Sequence, residues 1–213
     1  MTVGSAAALM MSALWESPLP RTPSRAYVAI MVAQHLVTAD ELEQMGREDL
    51  ELVRGVLIPV MTPAGEQHGA LAAFLTVELG TFVRANDLGR LYVEVGYRLF
   101  TNPDTVRGPD ISFVSRERRA TQPRRRGFIH GIPDLAVEIA SIDKTMADLA
   151  AKAAEYLEAG AALVWVVGPE SRQVLVHRRG FPTLTLSESN TLDGGEVLPG
   201  FELPISRLFA ELD

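Results

Sequence analysis

Pro133-Asp-Leu-Ala-Val-Glu-Ile-Ala-Ser141, the helix-patterned stretch 145–159 and Leu163-Val-Trp-Val-Val167 together decide the fold. The first segment is apolar over strand length apart from Glu138. The last is apolar without a break, as expected of a strand buried on both faces. Between them Leu149, Lys152, Ala153, Tyr156 and Leu157 fall near one side of a helix, which Gly160 stops. Strand, helix and strand over 135–167 predict two parallel strands joined by a right-handed crossover.

The flanking segments extend this unit. Gly108-Pro109-Asp110 leads into a strand, Ile111-Ser-Phe-Val114, and Arg90 to Phe100 alternates as a further strand with Leu91, Val93, Val95, Tyr97 and Leu99 on one face. Leu71, Phe74, Leu75, Leu79, Phe82 and Val83 mark a helix from about Gln67 to Asn86. Residues 51–61 read as two short strands joined at Gly55. Thr38-Ala-Asp-Glu41 reads as a capping box that opens a short helix to about Met45. Gln173 to Arg178 is expected to pair with 163–167 as a hairpin, and the polar stretch 115–131 to be a loop. Short connections make the earlier strands antiparallel. The expected architecture is α/β: a single domain over 36–213 with helices flanking a mixed sheet. Residues 1–35, with Pro18, Pro20 and Pro23, read as an irregular N-terminal extension, and Met31 is an alternative start.

Bulk properties narrow the chemistry. Of 213 residues, 47% are hydrophobic and 22% charged, which suits a folded globular chain. The absence of cysteine excludes disulfides, thiolate metal sites and a cysteine nucleophile, so any metal must sit on oxygen or imidazole. The net charge of −7 runs against the usual basic footprint of a nucleic-acid binder. No apolar run reaches membrane-span length, and Ala6 to Leu14 lacks the basic residues that precede a secretory signal, so the expected location is cytoplasmic.

Two acids stand in unusual places. Asp110 begins an apolar strand behind Pro109, and Glu138 lies inside one. A carboxylate buried there costs several kcal/mol unless it is compensated. A divalent cation shared by the two acids would compensate both. The alternatives are a salt bridge for Glu138 and a turn or cap role for Asp110. Lys152, with Tyr156 four residues on, lies on the sheet-facing side of the helix that follows Glu138. It could point back at the acids, orient the attacking water and stabilise charge on a phosphate, or else snorkel to the helix edge. Lys144 is a competing candidate. Arg116, Arg118, Arg119, Arg124, Arg125 and Arg126 crowd the 115–131 loop, either as a grip on a phosphate backbone or as a solvated basic loop.

At this point the chain resembles the Uma-type family, classed with the restriction endonucleases in the PD-(D/E)xK nuclease superfamily. The matching residues run over about 36–210. They are Glu51-Leu-Val-Arg-Gly55, Pro63 with His68, Gly108-Pro-Asp-Ile-Ser-Phe-Val114, Pro133 through Ser141, Asp148-Leu with Lys152 and Tyr156, Gly160, Val164-Trp-Val-Val167, and Leu198-Pro-Gly-Phe201 with Leu208-Phe209. The resemblance implies a restriction-endonuclease-like mixed sheet and hydrolysis of phosphodiester bonds, in DNA, with Mg²⁺ or Mn²⁺. It assigns Asp110 and Glu138 as metal ligands. The superfamily pattern places a lysine two residues after the second acid, where this chain has Ala140, and the resemblance moves that role to Lys152. Ser141, His68, Glu51 and Tyr156 are auxiliary candidates. A homodimer, built with the help of the 163–167 strand and the C-terminal hairpin, would suit double-strand cutting. A non-catalytic nucleic-acid-binding or regulatory module on a decayed nuclease fold is the competing reading, and a phosphohydrolase of small molecules a third.

Overall fold

The computed structural model describes residues 36–47, 49–60, 64–122, 126–141 and 144–213. The expected N-terminal extension, Pro63, Arg124 and Arg125 lie outside the described residues.

The predicted crossover unit forms the centre. Strand β7 (Leu135–Ile139) and strand β8 (Leu163–Gly168) pair in parallel from Leu135↔Leu163 to Ile139↔Val167, and helix α4 (Met146–Ala159) joins them. Every residue of both strands is buried. Around them runs a six-stranded sheet in the order β10-β9-β8-β7-β6-β3. Here β3 is Gly89–Val93, β6 Ile111–Ser115, β9 Gln173–Arg178 and β10 Leu184–Leu186. Only the β7–β8 pair is parallel, and the rest of the sheet is antiparallel.

Strand alternation divides the core into two layers. Val137, Ile139, Trp165 and Val167 pack with Leu71, Leu75 and Leu79 of helix α2 (Glu66–Ala85). Phe201, from the apolar tail segment, stacks on Trp165 at 5.9 Å between ring centroids and completes this layer. Ala136, Val164 and Val166 face the other way, onto Leu149, Ala153 and Tyr156 of α4. The 163–167 segment is therefore flanked by strands on both edges and covered on both faces within one chain. Its apolarity is explained by this burial and leaves no free face for a partner.

A four-stranded sheet, β2-β1-β5-β4, borders the first. It contains β1 (Leu50–Val53), β2 (Val56–Pro59), β4 (Tyr97–Phe100) and β5 (Thr105–Arg107). The β1–β2 hairpin turns through Arg54 (φ 49°) and Gly55 (φ 79°), the left-handed pair its two-residue loop requires. Helix α1 (Ala39–Met45) opens with the predicted capping box: Glu41 N–H donates to Thr38 Oγ1 at 3.2 Å, and Thr38 N–H to Glu41 Oε2 at 2.7 Å.

Two expectations are corrected. Residues 90–100 form two strands in different sheets, because Glu94 takes a left-handed backbone (φ 51°) and Gly96 lies under the Phe128 ring, where a Cβ would come within 2.4 Å. Leu91 and Val93 therefore do not share a face with Tyr97. The 115–131 stretch holds a helix, α3 (Arg116–Thr121), whose N-terminus is capped by Ser115. The arginines masked that short helix because its exposed face carries no apolar stripe.

Helix α4 begins with a second capping box, Thr145 with Asp148. Thr145→Ala should lower stability by about 1 kcal/mol, the usual cost of losing such a cap. Urea unfolding monitored by circular dichroism measures it.

Candidate active site

Residue 138 shares the α4-facing side of β7 with Ala136, and only 2% of its surface is exposed. Lys152 belongs to the buried face of α4, as its spacing predicted. Its Nζ lies 2.8 Å from Glu138 Oε1 and 3.0 Å from Oε2. It also lies 2.8 Å from Glu51 Oε1, and it donates to the Gly108 carbonyl at 3.1 Å. Tyr156, one turn further along α4, donates its hydroxyl to Glu138 Oε1 at 2.9 Å. An ammonium has three N–H donors, and Glu138, Glu51 and Gly108 take all three. Lys152 therefore acts on Glu138 and Glu51 and has no donor left for a water.

The charges follow from this packing. Burial pushes the Glu138 carboxyl up to about 7; Lys152 opposes the shift, while the neighbouring Asp110 and Glu51 charges add to it. Burial also works against Glu51, but Lys152 and Arg107 outweigh it and hold that carboxyl at about 2. Burial disfavours the Lys152 ammonium, yet Glu138 and Glu51 raise its pKa overall. Arg107 was not anticipated. Its guanidinium bridges Glu51 Oε2 at 2.8 Å and both Glu155 oxygens at 2.8 Å, and so ties the four-stranded sheet to α4. Its place three residues before Asp110, and that of Glu155 three after Lys152, were visible in the sequence. Nothing local said that they pair.

Asp110 precedes β6 beside the end of β7. Its Oδ2 accepts the Ile139 N–H at 2.6 Å and lies 3.2 Å from His68 Nε2. His68 thus turns from the first turn of α2 toward the acids, and its pKa is raised chiefly by that Asp110 contact against the opposing effect of burial. Asp110, Glu138, Glu51, His68 and Ser141 line one cleft of about 510 Å³. Lys152 lies behind Glu138 and does not line it. Two cleft residues were overlooked: Glu94, whose left-handed turn is held by its N–H donating to the Asp110 carbonyl at 3.1 Å, and Phe128, which forms part of the wall. The competing candidate Lys144 lines the cleft as well. Among the described residues no group of three or more His, Asp or Glu side chains is arranged to hold a metal ion. Asp110 and Glu138 both line this cleft, and the Asp110 charge helps to raise the Glu138 carboxyl.

Arg116, Arg118 and Arg119 are not at this cleft. Asp110 and Ser115 bound opposite ends of β6, about 16 Å apart at strand rise, and α3 follows Ser115. Arg116 pairs with Asp87, and Arg118 with Asp134 at 2.7 Å. Arg119 belongs to the same far-end helix. The expectation that these residues sit beside the acids fails because an antiparallel pair carries its connection at one end and the acids lie at the other. Arg126 is exposed and adjoins Gly127 and Phe128 of the cleft wall.

Two layers of helix on a mixed sheet define a mixed α/β protein. The family model described as "Uma2: Putative restriction endonuclease" matches residues 39–206, and the chain belongs to that family. A crystal structure of a putative nuclease belonging to DUF820 from Anabaena variabilis ATCC 29413 shares the fold, with a TM-score of 0.72 and 23% identity over 83% of this chain and 99% of that one. No curated protein matches the sequence. No helix among the described residues is long and apolar enough to cross a membrane.

Glu51 supplies a pH test. Its folded pKa of about 2 lies below the ordinary 4.5, so its stabilising contribution is complete above pH 4.5 and is lost as pH falls toward 2. The full contribution is about 3 kcal/mol. Glu51→Gln should flatten the acid limb of the stability profile over that window, as measured by urea unfolding at successive pH values.

Proposed function

We propose that this protein is a divalent-metal-dependent nuclease that hydrolyses phosphodiester bonds in DNA. The observation that carries this reading is the placement of Asp110 and Glu138, from adjacent antiparallel strands, on the wall of one cleft. Their oxygens suit Mg²⁺ or Mn²⁺, with water and substrate oxygens completing the shell. The mutual repulsion that helps to raise Glu138 fits a site whose charge balance a cation restores. Such an ion, when bound, polarises the scissile phosphate and lowers the pKa of a coordinated water.

The chain's own residues have separable tasks. The Ile139 N–H and His68 orient the Asp110 carboxylate. Lys152 and Tyr156 orient that of Glu138, and Lys152 favours its charged form. Glu51 and the Gly108 carbonyl hold Lys152 in place. Lys152 thereby supports the attack on phosphorus through Glu138. Its three engaged donors account for how a lysine supplied by a helix serves an acid on a strand. His68, on the cleft wall beside Asp110, is placed to pass a proton to or from the reacting oxygens.

A second reading, a non-catalytic nucleic-acid-binding or regulatory module on the same fold, draws on one observation: the Glu138 oxygens are already met by Lys152 and Tyr156. Cleavage separates the two. Wild-type protein should cut plasmid DNA with Mg²⁺ or Mn²⁺ and stop when EDTA is added. Asp110→Ala and Lys152→Ala should each lower the rate by about a hundredfold or more, with folding confirmed by circular dichroism. Lack of cleavage of single- and double-stranded DNA and RNA with every divalent metal tried would overturn the enzyme reading.

A further inference from the structure

The chain has two lysines and 18 arginines. Both lysines belong to the candidate site, and their surroundings are opposite. Lys152 is buried with all three donors engaged. Lys144 lines the cleft with Asp110, Glu138, His68 and Ser141. A short bridge between residues 141 and 144 sets it there, with the Lys144 N–H donating to the Ser141 carbonyl at 3.2 Å. No ion pair holds its ammonium among the described residues. Its charge reaches the His68 ring, where it opposes the effect of Asp110.

The other cations on the cleft wall have partners: Arg47 pairs with Asp49, and His68 contacts Asp110. The same wall carries four acids, Glu51, Glu94, Asp110 and Glu138. A phosphodiester entering such a cleft meets an acidic wall whose carboxylates are only partly offset by Lys152, Arg107 and His68. An ammonium with no carboxylate partner among the described residues, on a flexible stem in the cleft that the acid pair lines, is complementary to a phosphate oxygen. Arg116, Arg118 and Arg119, at the far end of β6, do not line the cleft.

We propose that Lys144 is the substrate-binding lysine of this cleft and contacts the phosphate that enters between it and the Asp110–Glu138 pair. The two lysines divide the work that a single strand lysine would do: Lys152 fixes the acid, and Lys144 receives the anion. This assignment rests on the nuclease reading above.

Its test is binding, not turnover. Full-length protein is titrated with labelled single-stranded and duplex DNA in Ca²⁺ over a salt series and followed by fluorescence anisotropy. Lys144→Gln should weaken binding by about tenfold at low salt. It should also reduce the slope of log affinity against log salt by about 0.7–0.9, the signature of one lost phosphate contact. Lys144→Arg should restore the slope. A merely structural role would alter stability and leave the slope in place.

With only two ε-amines in the chain, acetylation mapped by mass spectrometry gives a second readout. Bound DNA should protect Lys144, and an uncharged methylphosphonate oligomer should not. If wild type binds DNA but Lys144→Gln retains its affinity and slope, or Lys144 acetylates equally with DNA bound, the assignment is overturned and the acid-pair reading stands. If wild type binds neither DNA, the nucleic-acid reading itself falls, and the role of Lys144 with it.

Discussion

The ammonium of Lys152, held between the carboxylates of Glu138 and Glu51, is the contact on which the rest of the site depends. Two acids from different sheets could not stand so deep in the chain without a shared cation, because each isolated charge would lose its hydration with nothing in return. One lysine on α4 therefore joins three pieces of structure: β7 of the six-stranded sheet, β1 of the four-stranded sheet, and the helix that crosses behind them. Arg107 and Glu155 repeat the arrangement one layer outward and return the connection to the same helix.

The two acids have different supports. The Glu138 oxygens are met by Lys152 and Tyr156 of the helix, while Asp110 is met by the Ile139 N–H and His68. An acidic chain is a poor general partner for nucleic acid, and Arg116 and Arg118 are already engaged with Asp87 and Asp134.

Much of this was legible in the residues. Uninterrupted apolarity at 163–167 marked a doubly buried strand. Period-two alternation placed Glu138 opposite Val137, and helical spacing put Lys152 and Tyr156 on a sheet-facing side. The desolvation of two acids in apolar strands suggested that they belong together, and His68 was flagged through the family resemblance. Long-range placement was less legible. Arg107, Glu155, Glu94 and Phe128 come to the site from segments whose local patterns are ordinary, and the arginines looked adjacent to the acids only because they are adjacent in sequence.

The sequence by itself determined the crossover unit, the two-faced core and the presence of an acid inside an apolar strand, because periodicity and the desolvation of a charge in an apolar strand are local properties. Only the tertiary structure decided which lysine partners Glu138 and which faces the cleft, since that depends on how β1 and α4 meet across the sheet. It also decided that Arg116, Arg118 and Arg119 lie a strand's length from the acids. A strand has two ends, and a one-dimensional pattern does not say at which end a loop's charges will act.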